Sequence, residues 1–382
     1  MSSRLPPLTV TTVGSWPRPP GLLRTQRAYR AGRASREEFD RAADAAVVEI
    51  LQAQEQAGVE LVTDGEQRRD NFYSFVADKL AGVKLMTLVE MLEVVEDKAS
   101  FERILQTLDV PAYSISNPTC VGRIERRAPL AVDELKFVQR HTRRPIKIPL
   151  PGPYLLTRAM FVREVTRAVY PSREELGVDV VRVLREEVRE LIDAGADFIQ
   201  FDEPVLTELV FTQGQTRTFM CAALAAGKEP KYELELAVRL NNEVIAGFED
   251  RGVRLGLHVC RGNWSQDEST LLRGSYAPLH EYLQQLKVHQ LVLEYATERA
   301  GDLLPFEGKE LGLGVVNPRI ERVETPEEIR AAISRALKLF PADKLFLNPD
   351  CGFGTFSNRP VNSLQIAVAK MKAVAEAAKE AR

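Results

Sequence analysis

Histidine and cysteine are both scarce in this 382-residue sequence, with four of each. Four cysteines in a chain of this length do not make a disulfide framework, which excludes the class of small, disulfide-stapled secreted domains. No apolar run approaches the ~18 residues of a membrane span, and the first residues lack the apolar core of a signal peptide. We therefore expect a cytoplasmic protein that does not enter a membrane.

The sequence also lacks an excess of charge of either sign. Its formal net charge is −3 and hydrophobic residues make up 45% of it, as in an ordinary globular protein. A glycine-rich dinucleotide fingerprint is missing as well, because the turn after the first strand, Gly14-Ser15-Trp16-Pro17, does not fit it. No P-loop motif occurs anywhere in the sequence. We expect neither nucleic acid nor a membrane as a partner, and the sequence predicts no particular oligomeric state.

Short apolar runs alternate with amphipathic helical patterns along the chain. The eight runs span residues 8–13, 59–63, 146–150, 197–201, 253–257, 290–293, 311–316 and 344–347. The helical patterns span residues 35–57, 172–194, 232–249, 325–339 and 361–378, with Ser35 and Thr325 as candidate N-caps. Such alternation predicts a parallel sheet covered by helices. Eight strands favour a (β/α)8 TIM barrel, in the α/β class, over an open sheet.

Two segments are longer than a barrel needs. Residues 67–145, between the second and third strands, hold two further helical patterns and are predicted to form an insertion that makes an excursion over the barrel. Apart from that excursion we expect residues 1–382 to form a single catalytic barrel domain. Residues 205–230 contain two glycines and a proline and are predicted to form a long loop, a candidate lid, beside the barrel mouth.

Polar side chains follow nearly every predicted strand, and the pair His258 and Cys260 is the strongest local signal. Residues two apart in an extended backbone point the same way, and zinc prefers nitrogen and sulfur ligands. Taken alone, such a pair more often serves packing. The barrel, however, brings Glu294 and Cys351 to the same mouth, because the carboxyl ends of all its strands converge there. An arginine partner for Glu294 and a core role for Cys351 are the alternatives.

Carboxylates follow two other strands, as Asp64 and Glu66 after the second and as Asp202 and Glu203 after the fourth. Paired carboxylates suit acid–base chemistry or magnesium. With zinc assigned to neighbouring strand ends, we favour an anchor for a cationic group such as a substrate ammonium. The alternative is pairing with nearby arginines, namely Arg68, Arg69 or Arg261.

These motifs together resemble the catalytic barrel of cobalamin-independent methionine synthase, over residues 8–375. The matching segments are, in order, Val13-Gly14-Ser15-Trp16-Pro17, Asp64-Gly65-Glu66 through Arg69-Asp70, Ile199-Gln200-Phe201-Asp202-Glu203-Pro204, His258-Val259-Cys260, Glu294 and Asn348-Pro349-Asp350-Cys351-Gly352. The resemblance implies a zinc ion (Zn2+) as cofactor and a set of four residues that are both metal ligands and catalytic. These are His258, Cys260, Glu294 and Cys351.

The same resemblance implies that Glu66 and Asp202 bind the ammonium of homocysteine, while the backbone around Gly14 and Ser15 binds its carboxylate. The implied activity is that of a zinc-dependent S-methyltransferase of methionine biosynthesis, similar to 5-methyltetrahydropteroyltriglutamate-homocysteine methyltransferase. Zinc would keep the homocysteine thiol deprotonated and nucleophilic, and methionine would be the product.

The methyl donor stays open between a methyltetrahydrofolate and another carrier, such as a corrinoid. The stretch around Val316 and Asn317 lacks the histidine that the family has in this region, and Ala159 stands in the place of its pterin-facing tryptophan. Two other functions stay open, namely alkyl transfer to a different thiol, such as epoxide opening by coenzyme M, and a non-catalytic zinc-binding barrel. The presence of both Glu66 and Asp202 favours an amino-acid thiol, because coenzyme M has no ammonium group.

Overall fold

The protein is represented by a computed structural model that describes residues 5–95, 98, 116–211, 229–263, 271–357 and 360–382. The strands in these ranges are β1 Thr9–Val10, β2 Leu80–Thr87, β3 Ser116–Arg126, β4 Lys147–Pro151, β5 Phe198–Asp202, β6 Arg254–Val259, β7 Gln290–Leu293, β8 Glu310–Val316 and β9 Leu345–Pro349. All but β2 and β3 form one parallel sheet in the order β1-β9-β8-β7-β6-β5-β4.

Two isolated parallel bridges connect the edges of this seven-stranded sheet. Thr11 pairs with Leu61 next to β1, and Val62 pairs with Ile146 next to β4. The predicted second strand, residues 59–63, therefore takes its expected place but is reduced to single bridges. The α/β fold class and the TIM-barrel-like curl of the sheet are confirmed.

Helices cover the outside of the sheet. The helices in the described residues are α1 Pro20–Arg30, α2 Arg36–Gln56, α3 Leu88–Val94, α4 Val132–Gln139, α5 Pro153–Met160, α6 Arg163–Thr166, α7 Arg173–Asp193, α8 Val205–Phe211, α9 Pro230–Ile245, α10 His280–Gln285, α11 Pro326–Ala336 and α12 Leu364–Ala381. Ser35 and Thr325 cap α2 and α11 as predicted, each as one half of a reciprocal capping box with the glutamate three residues later. None of the helices in these ranges is both long and apolar enough to cross a bilayer.

The insertion at residues 67–145 differs from the sequence prediction. It contains the helices α3 and α4, but its main element in the described part is an antiparallel hairpin of β2 and β3. The hairpin was not predicted from the sequence, because buried and exposed positions do not alternate regularly along β2. The hairpin is bound to α5 by a hydrogen bond from Asn117 to the Ala159 carbonyl, and to α6 by one from Thr166 to the Cys120 carbonyl.

Glu187 of α7 is the main polar link between the insertion and the barrel. Its fully buried carboxylate binds Arg126 of β3 at 2.6 Å. It also accepts the N–H groups of Leu130, Ala131 and Val132 at 2.6–3.1 Å, at the start of α4. The predicted lid falls partly on α8, and its residues 212–228, with Cys221, lie outside the described residues.

Replacement of this carboxylate should loosen the insertion. We expect Glu187→Ala to lower the free energy of unfolding by about 3 kcal/mol, because it leaves three backbone donors without their acceptor and removes one of the two carboxylates that bind Arg126. Glu186→Ala is the matched control, since within the described ranges that residue makes an exposed pair with Arg182 and no other ion pair, and its loss should cost less than about 0.5 kcal/mol. Urea unfolding followed by circular dichroism measures both. Equal midpoints for the two variants would contradict the assignment.

Candidate metal centre and substrate pocket

Three of the four predicted metal ligands lie together at the carboxyl ends of the strands. His258 is the penultimate residue of β6, and Cys260 directly follows that strand. Cys351 lies two residues after β9. Their ligand atoms, the imidazole nitrogen and the two Sγ atoms, all lie within 4.8 Å of one another, and all three residues are buried. Parallel pairing across the sheet therefore brings together donors that are almost a hundred residues apart in the sequence.

The orientation of His258 fits a metal ligand. Its Nδ1 lies 3.2 Å from the carbonyl oxygen of Val292, and its Nε2 has no hydrogen-bond partner among the described residues. A neutral imidazole that donates from Nδ1 presents the lone pair of Nε2, which is the usual arrangement in protein metal sites. Burial lowers the pKa of this ring, but interaction with Cys260 and with the carboxylates of Asp202 and Glu294 raises it to about 9.

Cys260 and Cys351 are both free thiols. A hydrogen bond from Cys351 holds the pKa of Cys260 well below its usual range, and the same bond raises the pKa of Cys351 well above it. The contact between the two sulfur atoms therefore favours the thiolate of Cys260 over that of Cys351. A bound cation would favour two thiolates, and the combination of one imidazole with two sulfurs is a donor set that fits zinc.

Glu294, the fourth predicted ligand, lies outside this group of three donors. It follows β7 directly, and its carboxylate binds Arg319 at 2.8 Å and both Arg261 and Arg299 at 3.5 Å. Burial alone would raise the pKa of Glu294, but the three guanidinium groups lower it. The arginine partner considered from the sequence is therefore present, and a metal-ligating role for Glu294 stays a prediction.

Glu66 and Asp202 line one cavity with the metal-donor group. The cavity encloses about 480 Å³ of space, part of which is open to solvent. Among its lining residues are Ser15, Glu66, Asp202, His258, Cys260 and Cys351. Gly14 is not part of the lining but supports it, because a Cβ at this position would lie 2.4 Å from Oε1 of Glu66. A larger residue would therefore displace the Glu66 carboxylate.

A strained turn presents Glu66 to the cavity. Its φ of 54° is in the left-handed region that residues other than glycine seldom adopt. The turn is held by Asp64, whose Oδ1 accepts the N–H of Glu66 at 2.9 Å. Backbone strain of this kind persists where the surrounding structure determines the conformation, and it is found preferentially at functional sites.

Both cavity carboxylates sit in surroundings that disfavour their charge. Burial, with a contribution from Asp202, raises the pKa of Glu66 to about 7. Burial also raises the pKa of Asp202 to about 6, although the positive charge of His258 opposes the shift. In the described residues no arginine forms an ion pair with Glu66 or Asp202, although the positive charge of Arg69 opposes the rise in the pKa of both carboxylates. Arg68 pairs with Asp44, Arg69 with Glu134 and Arg261 with Glu294.

Glu203 has a different role from Asp202, its neighbour in sequence. Its carboxylate accepts the N–H groups of Tyr154 and Leu155 at 2.8 and 2.9 Å. It therefore caps the first turn of α5, where the chain approaches so closely that a Cβ on Gly152 would lie 2.3 Å from the carboxylate. Only one carboxylate of this pair is available to a ligand.

Sequence reasoning missed several residues of the cavity wall. Phe72 and Phe356 contribute apolar surface, and single aromatic residues in loops carry no sequence signal. Asn263 lines the cavity and joins its two sides, because its side chain donates to the carbonyl of Gly352 and to Thr355, both at 2.7 Å. The sequence signal that could have identified Asn263 as a residue of the cavity is its position three residues after Cys260.

Comparison with known proteins adds an independent observation. Residues 8–377 match the family described as "Cobalamin-independent synthase, Catalytic domain". The chain is 31% identical over 359 residues to a methionine synthase of Thermococcus kodakarensis, covering 93% of this chain and 89% of that one. It is 31% identical over 385 residues to a methionine synthase of Saccharolobus solfataricus, covering 100% and 96%.

A solved structure shares the fold. The B12-independent methionine synthase of Shewanella sp. W3-18-1, solved in complex with selenomethionine, superposes with a TM-score of 0.71 at 24% identity and covers 98% of both chains. The family match spans the sheet, the metal-donor group and the cavity described above. The chain belongs to the family of cobalamin-independent synthase catalytic domains.

Proposed function

We propose that the protein is a zinc-dependent methyltransferase that alkylates the thiol of homocysteine to give methionine. The observation that carries the proposal is one cavity with two kinds of wall. It is lined both by a buried His-Cys-Cys group and by the carboxylates of Glu66 and Asp202. The names of the relatives at 31% identity support the same activity.

The metal half of the site would recognise sulfur. His258, Cys260 and Cys351 would hold the zinc ion, which when bound acts as a Lewis acid that keeps a thiol deprotonated near neutral pH. Glu294 is proposed as the fourth and exchangeable ligand. Its three arginine partners compete with a metal for this carboxylate, so that the fourth coordination position is available to substrate.

The acidic half would recognise the amino-acid part of the substrate. An ammonium between Glu66 and Asp202 would compensate two buried carboxylates whose raised pKa values reflect the cost of keeping their charge in buried surroundings. The backbone of Gly14 and Ser15, next to Glu66, is proposed to bind the substrate carboxylate. Coenzyme M, the acceptor in the epoxide-opening alternative, offers no cation to this wall.

The remaining alternatives concern the catalytic role and the donor. A non-catalytic zinc-binding barrel would not require a cavity that joins the candidate metal donors to two buried carboxylates, so this lining favours an enzyme. The methyl donor is proposed to be a methyltetrahydrofolate or another methyl carrier. Asn317, in the region where the family has its histidine, donates its N–H to Glu324 at 2.8 Å, which assigns a structural role to this turn.

Metal binding tests the first half of the proposal. We expect the wild-type protein to bind about one equivalent of zinc, and Cys351→Ser to weaken the affinity at least about tenfold, because a hydroxyl is a poor replacement for a thiolate ligand. Cys120→Ser is the matched control, since Cys120 is a buried free thiol in β3. Competition with a chromophoric chelator measures all three. Equal affinities for the two variants would contradict the assignment of Cys351.

Zinc-edge absorption spectroscopy tests the acceptor. We expect the zinc of the loaded protein to gain one sulfur ligand on addition of L-homocysteine, and the protein to form methionine when a methyl donor is supplied. A coordination shell that is indifferent to homocysteine but gains sulfur from coenzyme M would support the alternative alkyl transfer. A shell indifferent to every thiol would support a structural metal.

The pH dependence of substrate affinity tests the acidic half. Because Glu66 and Asp202 have pKa values raised to about 7 and about 6, both accept protons as the pH falls from 8 to 6 and lose their attraction for an ammonium. We therefore expect the KM for homocysteine to rise several-fold over this range. The KM for 4-mercaptobutanoate, which lacks the amine but titrates a similar thiol, should rise much less. Parallel profiles for the two thiols would argue against these carboxylates as the ammonium site.

A further inference from the structure

A lysine lies inside the barrel with no carboxylate bound to it in the described ranges. Lys147 is the first residue of β4, and its side chain has no exposed surface. Its Nζ donates to the carbonyl oxygen of Thr12 at 2.8 Å and to Oε1 of Gln200 at 3.3 Å, and it lies 4.8 Å from the centre of the Phe198 ring. Burial lowers the pKa of this amine to about 7. A lysine is rarely kept in such a place without a defined role.

The lysine determines which way the amide of Gln200 points. When it carries its proton, the Lys147 ammonium has only donors and must face the amide oxygen of Gln200, as Nζ does at 3.3 Å. The amide nitrogen of Gln200 is therefore turned toward two acceptors, the carbonyl oxygen of Val13 at 3.0 Å and Oδ1 of Asp202 at 2.9 Å. With Lys147 in place, the opposite orientation of the amide would direct its NH2 group at another donor.

The two acceptors belong to opposite ends of the proposed amino-acid site. Asp202 is the proposed ammonium ligand. Thr12 and Val13 immediately precede Gly14 and Ser15, whose backbone is the proposed carboxylate site. The four contacts of Lys147 and Gln200 thus join β4 and β5 to the turn after β1 from inside the barrel.

We propose that Lys147 and Gln200 are positioning residues that set the spacing between the Asp202 carboxylate and the Gly14–Ser15 backbone, and so select thiols that carry an α-amino-acid group. Neither residue lines the cavity, so they act on substrate only through the groups they hold. This inference rests on the proposed function, because it assigns specificity to the same site.

A purely structural role makes a different prediction from a positioning role. If the two residues only stabilise the barrel, their replacement lowers stability and affects every thiol equally. If they hold the amino-acid site in register, replacement weakens binding of the amino-acid part and leaves recognition of the thiol intact. A thiol without the amino-acid group separates the two cases.

Steady-state kinetics of Gln200→Met, Gln200→Glu and Lys147→Met, each loaded with zinc, test the proposal. Methionine keeps the length of glutamine without its donors. Glutamate keeps an acceptor for Lys147 but presents a like charge to Asp202. We expect the KM for L-homocysteine to rise about tenfold or more in each variant, the loss typical of a hydrogen bond to a charged group, with kcat changed less. The inhibition constant of 1-propanethiol, which reports the metal half alone, should stay within about twofold.

Lys370→Met is the matched control for loss of a buried lysine. Lys370 is also fully buried, in α12, where it binds Glu324, and its replacement should leave the KM unchanged. A Gln200→Glu protein with wild-type KM would overturn the proposal, as would a rise in KM matched by an equal rise in the inhibition constant of 1-propanethiol. If the wild-type protein fails to convert homocysteine, the proposed function fails and this inference falls with it. The two failures are therefore distinguishable in one series.

Discussion

The parallel register between β5 and β6 is the constraint on which the site depends. It places Asp202 opposite His258, so the acidic group and the His-Cys-Cys group of the cavity are attached to neighbouring backbone positions of the barrel and not to separate loops. The pleat turns Glu203 away, toward the N-terminus of α5. A one-residue shift in the pairing of β5 with β6 would put Glu203 in the place of Asp202. It would also leave α5 without the carboxylate that caps its first turn. The hydrogen bonds of the sheet and the electrostatics of the site therefore constrain each other.

Charge behind the cavity completes the arrangement. Arg261, Arg299 and Arg319 surround Glu294 without lining the cavity. Their positive charge reduces the cost of negative charge nearby, and Arg319 in particular favours the thiolate form of Cys351. The same guanidinium groups hold the Glu294 carboxylate outside the group of three donors. On the proposed function, the cluster would favour metal binding through sulfur, because its guanidinium groups compete with a metal for the Glu294 carboxylate.

The sequence was informative wherever backbone geometry alone determines position. Because all strands of a barrel end at one mouth, His258, Cys260 and Cys351 could be grouped without knowledge of any side-chain contact. Contacts made by long side chains escaped prediction, since Arg319 reaches Glu294 across 25 positions of sequence and residue type does not specify a partner. Lys147 escaped for another reason, because a lysine within an apolar run is ordinarily assigned to the surface. The hairpin of β2 and β3 was missed where its burial pattern departs from strict alternation.

The two halves of the cavity divide recognition in a way that bears on specificity. On the proposed function, a zinc ion held by sulfur and imidazole ligands would bind any small thiol, so the metal site alone would discriminate poorly between substrates. Discrimination would come from the acidic part of the cavity, where an ammonium-free thiol would leave Glu66 and Asp202 buried without a counter-charge. Failure to compensate buried charged groups is penalised far more heavily than the loss of an apolar contact. Selectivity for an amino-acid thiol would then depend less on attraction of the correct substrate than on the cost of binding a wrong one.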